Sequence, residues 1–198
     1  IALNRILDNP SFGEVAANIE ASGDKQHIVA KGNISRFDYN KYSFRNIKID
    51  GSYTPAGIKG LASINDPNMR VNVDGDYAFA SKKYDVNAHI KHLQPSILGV
   101  KMSDRTYCLD DININTNNKG RDSYLDIDAP FVNLHTRGQY DLGTLYSSIQ
   151  NIVADKLPTL PGIKKTKKRG DNDFTLQGNV YSTEILQRIF GIQLDISS

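Results

Sequence analysis

The 198-residue chain has one cysteine, two methionines and no tryptophan. A lone Cys108 cannot form an internal disulfide, and it supplies too few thiolates for a zinc site of the chain's own. It reads as a small buried or half-buried hydrophobe compatible with either redox compartment. Charge of one sign is lacking as well. Lys and Arg number 24 against 22 Asp and Glu, a net +2, which removes the bulk electrostatic case for a nucleic-acid partner. Mean hydropathy is −0.44, and no apolar run approaches the roughly 18 residues of a membrane-spanning helix. The chain opens Ile-Ala-Leu-Asn with neither Met nor a charged-then-apolar leader. It is therefore read as a segment of a longer protein.

Catalytic and metal-binding patterns are also missing. His89 and His92, three apart in a strand, are expected on opposite faces, where they could not share a metal. His27 and His135 stand alone. Asp126 and Asp128 share a strand face, as paired acid–base carboxylates do, yet every polar face here carries such residues and solvated surface is the better reading. Asp74-Gly75-Asp76 and Asp171-Asn172-Asp173 lack the spacing of a calcium loop. There is no Gly-rich phosphate loop, no G-x-S-x-G elbow and no Ser/His/Asp grouping. The expectation is a protein that is not an enzyme and needs no cofactor or metal.

What the sequence does have is alternation with a period of two. Ile47, Ile49, Gly51 and Tyr53 fall on one face, with Asn46, Lys48, Asp50 and Ser52 on the other. Ile58, Gly60, Ala62 and Ile64 repeat the pattern, and so do Met69, Val71, Val73, Gly75 and Tyr77. It returns in Tyr84, Val86, Ala88 and Ile90, in Ile112 and Ile114, and in Leu125, Ile127 and Ala129. Val132, Leu134, Thr136, Gly138 and Tyr140 continue it, as do Phe174, Leu176, Gly178 and Val180. Residues 15–34 fit more weakly. Strands with one wet face belong to antiparallel sheets. The short turns rich in Gly, Asn, Asp, Ser and Pro between them predict meander hairpins. The fold class is mainly β.

Two helices are expected to interrupt the sheet. Over 143–157, Leu145, Ile149, Ile152, Val153 and Leu157, with Leu142 just before them, make an amphipathic stripe that Pro158 and Pro161 end. A shorter helix is expected over 184–190, capped by Ser182 or Thr183 and followed by Gly191. Between them, about 161–173, lies a basic loop expected to be mobile. Its Lys164, Lys165, Lys167, Lys168 and Arg169 are candidates for contact with anionic headgroups, although a solvated loop is the simpler reading.

The apolar face includes Gly51, Gly60, Ala62, Gly75, Ala88, Ala129 and Gly138. Small residues either let a sheet bend sharply or leave room beside it. The pattern on its own leans toward a closed sandwich, whose two inner faces interdigitate, and leaves open a meander that curls into an apolar trough. At about 4.8 Å per strand, about ten strands would make such a trough about 50 Å long.

Several segments also carry a family resemblance. Phe37-Asp38-Tyr39-Asn40-Lys41-Tyr42-Ser43-Phe44-Arg45-Asn46-Ile47-Lys48-Ile49-Asp50-Gly51 resembles the Y-x-Y-x-N-I-x-L-x-G segment of the TamB proteins of Bacteroidetes-type bacteria. Lys41 stands where Gly is usual. The segment from Ile64-Asn65-Asp66-Pro67-Asn68 to Gly75 resembles their D-D-P-N turn and strand, with Asn65 in place of the first Asp. Residues 86–98, 134–160, 172–176 and 183–186 follow in the family's order, so the likeness covers most of 30–192. It implies one segment, spanning 1–198, of a TamB/AsmA-like bridge protein with a long periplasmic β-groove and an inner-membrane anchor elsewhere in the protein. It further implies phospholipid transport between inner and outer membrane, or assembly of outer-membrane β-barrel proteins.

On this reading the groove lining is the apolar face: Ile47, Ile49, Tyr53, Ile58, Ala62, Ile64, Met69, Val71, Val73, Tyr77, Val86, Ile90, Val132, Leu134, Tyr140, Leu176 and Val180. The expected partners are phospholipid acyl chains. A second expectation is a scaffold to which an outer-membrane protein adds a strand. A third is a closed β-sandwich adhesion or carbohydrate-binding module, which the lack of Trp weakens.

Overall fold

The computed structural model describes residues 9–182 apart from 101, 103, 157–164, 168, 169 and 171. The strands in chain order are β1 (Phe12–Gly23), β2 (Ile28–Tyr39), β3 (Tyr42–Phe44), β4 (Ile47–Thr54), β5 (Gly57–Asp66), β6 (Met69–Ala78), β7 (Lys83–Leu93), β8 (Ile112–Asn117), β9 (Tyr124–Ala129), β10 (Val132–Gln139) and β11 (Asp173–Val180). One helix, α1 (Leu142–Lys156), lies between β10 and β11. The second helix expected over 184–190 falls outside the described residues.

All eleven strands form one sheet in the order β1-β2-β4-β5-β6-β7-β8-β9-β10-β11, with β3 beside β2. Neighbours are antiparallel throughout. The protein is thus mainly β, a single open antiparallel meander. The two-layer sandwich toward which the periodicity leaned is not formed, because the strands pair side by side into one layer.

Two register shifts explain where the alternation fades. On β2, Ile34 pairs with Ala17 and Arg36 with Ala16, leaving Ser35 extra. The inward set therefore moves from Ile28, Ala30, Gly32 and Ile34 to Phe37 and Tyr39. On β7, Ile90 pairs with Val71 and His92 with Arg70. This bulge puts His92 on the outward face that His89 already occupies, correcting the expectation of opposite faces. The two rings still do not converge on one point. His92 Nδ1 lies 2.7 Å from Asp110 and His89 Nε2 lies 3.7 Å from Asp111.

One end of the apolar face is covered by the chain itself. Phe44, Ile47 and Ile97 form a buried cluster, with Ile34, Phe37, Tyr39, Tyr42, Ile49, Ile64, Met69 and Leu98 packed against it. Ile97 is delivered by the long β7–β8 connection, through a 3-10 turn at Pro95–Leu98. Pro95 starts that turn, and Gly99 (φ 83°) ends it with its N–H on the Ser96 carbonyl. Gln94 Nε2 and Ser96 Oγ both donate to the Arg105 carbonyl, at 2.7 and 2.8 Å, closing the connection on itself.

Buried Asp66 fixes the adjoining turns. Its carboxylate accepts hydrogen bonds from the Tyr42 hydroxyl, from the Arg45 N–H at 3.1 Å and from the Asn68 N–H at 3.0 Å. Nearby, hydrogen bonds from Arg36 and Ser43 hold the Asp38 carboxyl down at about 2.

Removing the cap side chain in Ile97→Ala is expected to cost about 2–5 kcal/mol by loss of burial and the void left behind, read from urea unfolding. The β2–β3 turn offers the opposite change. Lys41 sits at φ 68°, a left-handed conformation that a Cβ disfavours by about 1–2 kcal/mol. Lys41→Gly is therefore expected to raise the unfolding midpoint.

Candidate functional site

The turn lengths set a register that lines up the small inner residues across four strands. Ala30 of β2 lies opposite Gly51 of β4, Gly51 opposite Gly60 of β5, and Gly60 opposite Gly75 of β6. Gly75 faces Val86 of β7. This rung runs across the strands, so it forms a furrow along the length of the meander. On one side it is walled by Ile28, Tyr53, Ile58, Tyr77 and Tyr84, which are paired in succession. On the other side stand Gly32, Ile49, Ala62, Val73 and Ala88.

The glycines are required by contact. A Cβ on Gly60 would come within 2.8 Å of the Asp50 carbonyl oxygen and 2.9 Å of the Gly51 Cα. One on Gly75 would meet the Asp85 carbonyl oxygen at 2.7 Å. The backbones of β4 to β7 thus crowd together on the inner side, as a sheet concave toward that face must. The result is an open groove of about 480 Å3. Of the residues expected to line it, Ile49, Tyr53, Ile58, Ala62, Val73, Tyr77 and Val86 do so.

The other expected lining residues occupy different ground. Ile47, Ile64 and Met69 belong to the cluster beneath Ile97, and Val71 is buried opposite Ile64 and Ile90. Val132, Leu134 and Leu176 continue the inward face on β10 and β11, half-buried, while Val180 is 60% exposed. Tyr140 is buried just beyond β10, with Phe174 edge-on at 6.3 Å.

Past Val86 the furrow rung continues as Thr116, Leu125, Thr136 and Leu176. Thr116 and Thr136 are buried. Thr136 Oγ1 accepts from the Leu125 N–H at 3.0 Å, and Thr116 Oγ1 donates to the Tyr124 carbonyl at 2.9 Å. The Tyr140 hydroxyl donates to the Asn117 carbonyl at 3.4 Å. Burial pushes the neighbouring Tyr84 phenol up to about 12. Hydroxyls and rings fill this end, whereas the β2–β7 end is floored by glycine and bare among the described residues.

The basic loop stands apart. Thr166 and Asn151 exchange two hydrogen bonds that hold it to α1, and Lys165 is paired with Asp155 of the helix. Among the described residues, none of the groove's lining belongs to this loop. Lys167 is exposed; Lys164, Lys168 and Arg169 lie outside the described residues. Along α1, Leu145 is buried and Ile149 half-buried, while Ile152 is exposed.

The outward face carries ordinary polar pairs. Asp126 meets both Arg137 and His135. Burial raises its pKa, but the bonds from Arg137 and His135 outweigh that and hold it below the usual carboxylate range. Asp128 is bonded to Asn133. Cys108 is half-buried, its thiol pushed up by burial.

The sequence showed which residues are small but not that they would meet in one rung, since that depends on turn geometry. Gly60→Ala is expected to destabilise by about 1–3 kcal/mol, because the added methyl has only backbone to move; thermal unfolding checks it. No protein-family model, curated protein or solved structure matches this chain.

Proposed function

We propose that this chain is a length of a TamB-like bridge protein of the cell envelope, and that its groove shields phospholipid acyl chains passing between inner and outer membrane. The observation that carries the reading is the apolar furrow over Ala30, Gly51, Gly60 and Gly75, left uncovered by the described residues. A protein gains nothing for its own stability by leaving such a face bare, and large exposed apolar surfaces mark binding sites. The resemblance of residues 37–51 and 64–75 to TamB segments supports the same reading. On it, the protein works in the periplasm, tethered to the inner membrane by a part not in this chain, and catalyses nothing.

The physics suits transport. Each methylene taken out of water is worth about 0.8 kcal/mol, so a chain with about ten methylenes in the furrow gains about 8 kcal/mol before the cost of ordering it. That gain comes from surface contact and fixes no single position along the furrow. An acyl chain can therefore slide from rung to rung.

A second reading draws on the outer edges of β1 and β11, which are unpaired among the described residues. An unfolded outer-membrane protein could add a strand there. Prolines placed along these edges would then slow assembly of that client and leave lipid binding intact.

The acyl-chain reading is tested with Val73→Asp, which puts a carboxylate on the groove wall, and Ala62→Phe, which fills the groove. Both are expected to cut photocrosslinking of a diazirine-labelled phospholipid at least fivefold, while Lys48→Ser on the outward face, away from the groove lining, leaves it unchanged. Equal crosslinking in all three variants would sink the reading.

A further inference from the structure

The furrow is bare over one stretch and closed over the next, and the change falls between two neighbouring strands. From β2 to β6 its floor is Ala30, Gly51, Gly60 and Gly75, with Val86 of β7 as the last residue of the rung to line the groove. The next residue of that rung is Thr116 of β8, only 7% exposed although it faces inward. Thr136, two strands further, is wholly buried. Inward residues of a single-layer sheet are buried only where something lies on top of them.

Here two phenol rings do so. Tyr140 follows the end of β10, yet its hydroxyl lies 3.4 Å from Thr116 Oγ1 and donates to the Asn117 carbonyl at 3.4 Å, both on β8. Its ring therefore passes above β9, the strand between. Tyr84 comes from the opposite direction, on β7, and its hydroxyl is buried beside Tyr140 and Thr116. Phe174 of β11 backs Tyr140 edge-on, and Tyr140 itself is buried. The two tyrosines reach across the furrow from either side and stand over Thr116 as a step.

The bare stretch from Ala30 to Val86 covers five strands, so at about 4.8 Å per strand spacing it is about 19 Å long. A saturated chain advances about 1.25 Å per carbon, given C–C bonds of about 1.5 Å in a zigzag. From these lengths we infer that Tyr84, Thr116 and Tyr140 form a stop for the tip of an acyl chain, and that the groove measures out a tail of about fifteen carbons. The inference rests on the acyl-chain reading of the groove and sets a limit to it: a chain slides over the bare rungs and halts at the rings. A polar head gains nothing from burial. It stays in water toward β1, where the rung begins with exposed Ala21, and the tail points at the step. Each carbon added within the stretch leaves water, and each carbon added beyond it stays wet.

The test measures binding of saturated fatty acids of eight to twenty carbons to the purified chain, by displacement of anilinonaphthalene sulfonate. Affinity is expected to rise about fourfold per carbon up to about fifteen carbons and to level off beyond. Val86→Phe raises the floor one strand earlier and is expected to move the break down by about four carbons. Tyr140→Ala takes away the crossing ring and is expected to let affinity go on rising past the wild-type break, whereas Tyr140→Phe keeps the ring and the break. Circular dichroism reports that each variant is folded. A wild-type rise that continues unbroken through twenty carbons, or a break that stays in place in Val86→Phe or in folded Tyr140→Ala, overturns the stop and leaves the groove reading standing. Binding of no acid at any length overturns both.

Discussion

Everything distinctive about the inner face depends on the register of four hairpin-connected strands. Side chains alternate with a period of two, so slipping one strand by a residue turns its whole inward set outward. In the observed pairing Gly51, Gly60 and Gly75 stand side by side. Their backbones approach so closely that a Cβ at Gly60 or Gly75 would collide with a neighbouring carbonyl. Shift β5 by one position and Lys59 or Leu61 would occupy that row. The turns at 54–57 and 66–69, the second tied down by buried Asp66, are what prevent the slip.

A single-layer sheet with one apolar face must settle how much of that face to cover. Here the answer differs from side to side. The β7–β8 connection folds back and buries Ile97 against Phe44 and Ile47, and at the far end Tyr84, Tyr140 and two buried threonines fill the space above the strands. Among the described residues, the middle stays bare. The hydrophobic stabilisation of the chain is therefore concentrated at the margins, and the central strands are held mainly by their hydrogen-bonded ladders and cross-strand contacts.

The alternation in β4, β5 and β6 was plain in the sequence, because no bulge interrupts it and the turns between are short. The helix after β10 was legible too, from its stripe and the prolines that follow. Residues 15–34 read weakly because β1 is an edge strand with most of its side chains exposed. Beyond them, the extra Ser35 resets the phase of β2. His92 was misplaced because the bulge on β7 reverses its direction. The roof over Ile47 and Ile64 escaped notice, since Ile97 contacts residues about fifty positions earlier and no local pattern encodes such a meeting. Its only local trace is a proline before and a glycine after two aliphatic residues, which marks a short turn without saying where it packs.

The order of the strands in the sheet is, β3 aside, their order in the chain, and this governs how the molecule can be assembled. No strand has to insert between two that are already joined, and each new hairpin finds its template in the one just made. The loops to be closed are short almost everywhere, so the entropy lost at each step is small and is recovered at once by a completed ladder. Growth of this kind has no obligatory starting point and no step that waits for the two ends to meet. Its longest detour is the one around α1, between β10 and β11, which makes that closure the natural bottleneck in reaching the finished sheet.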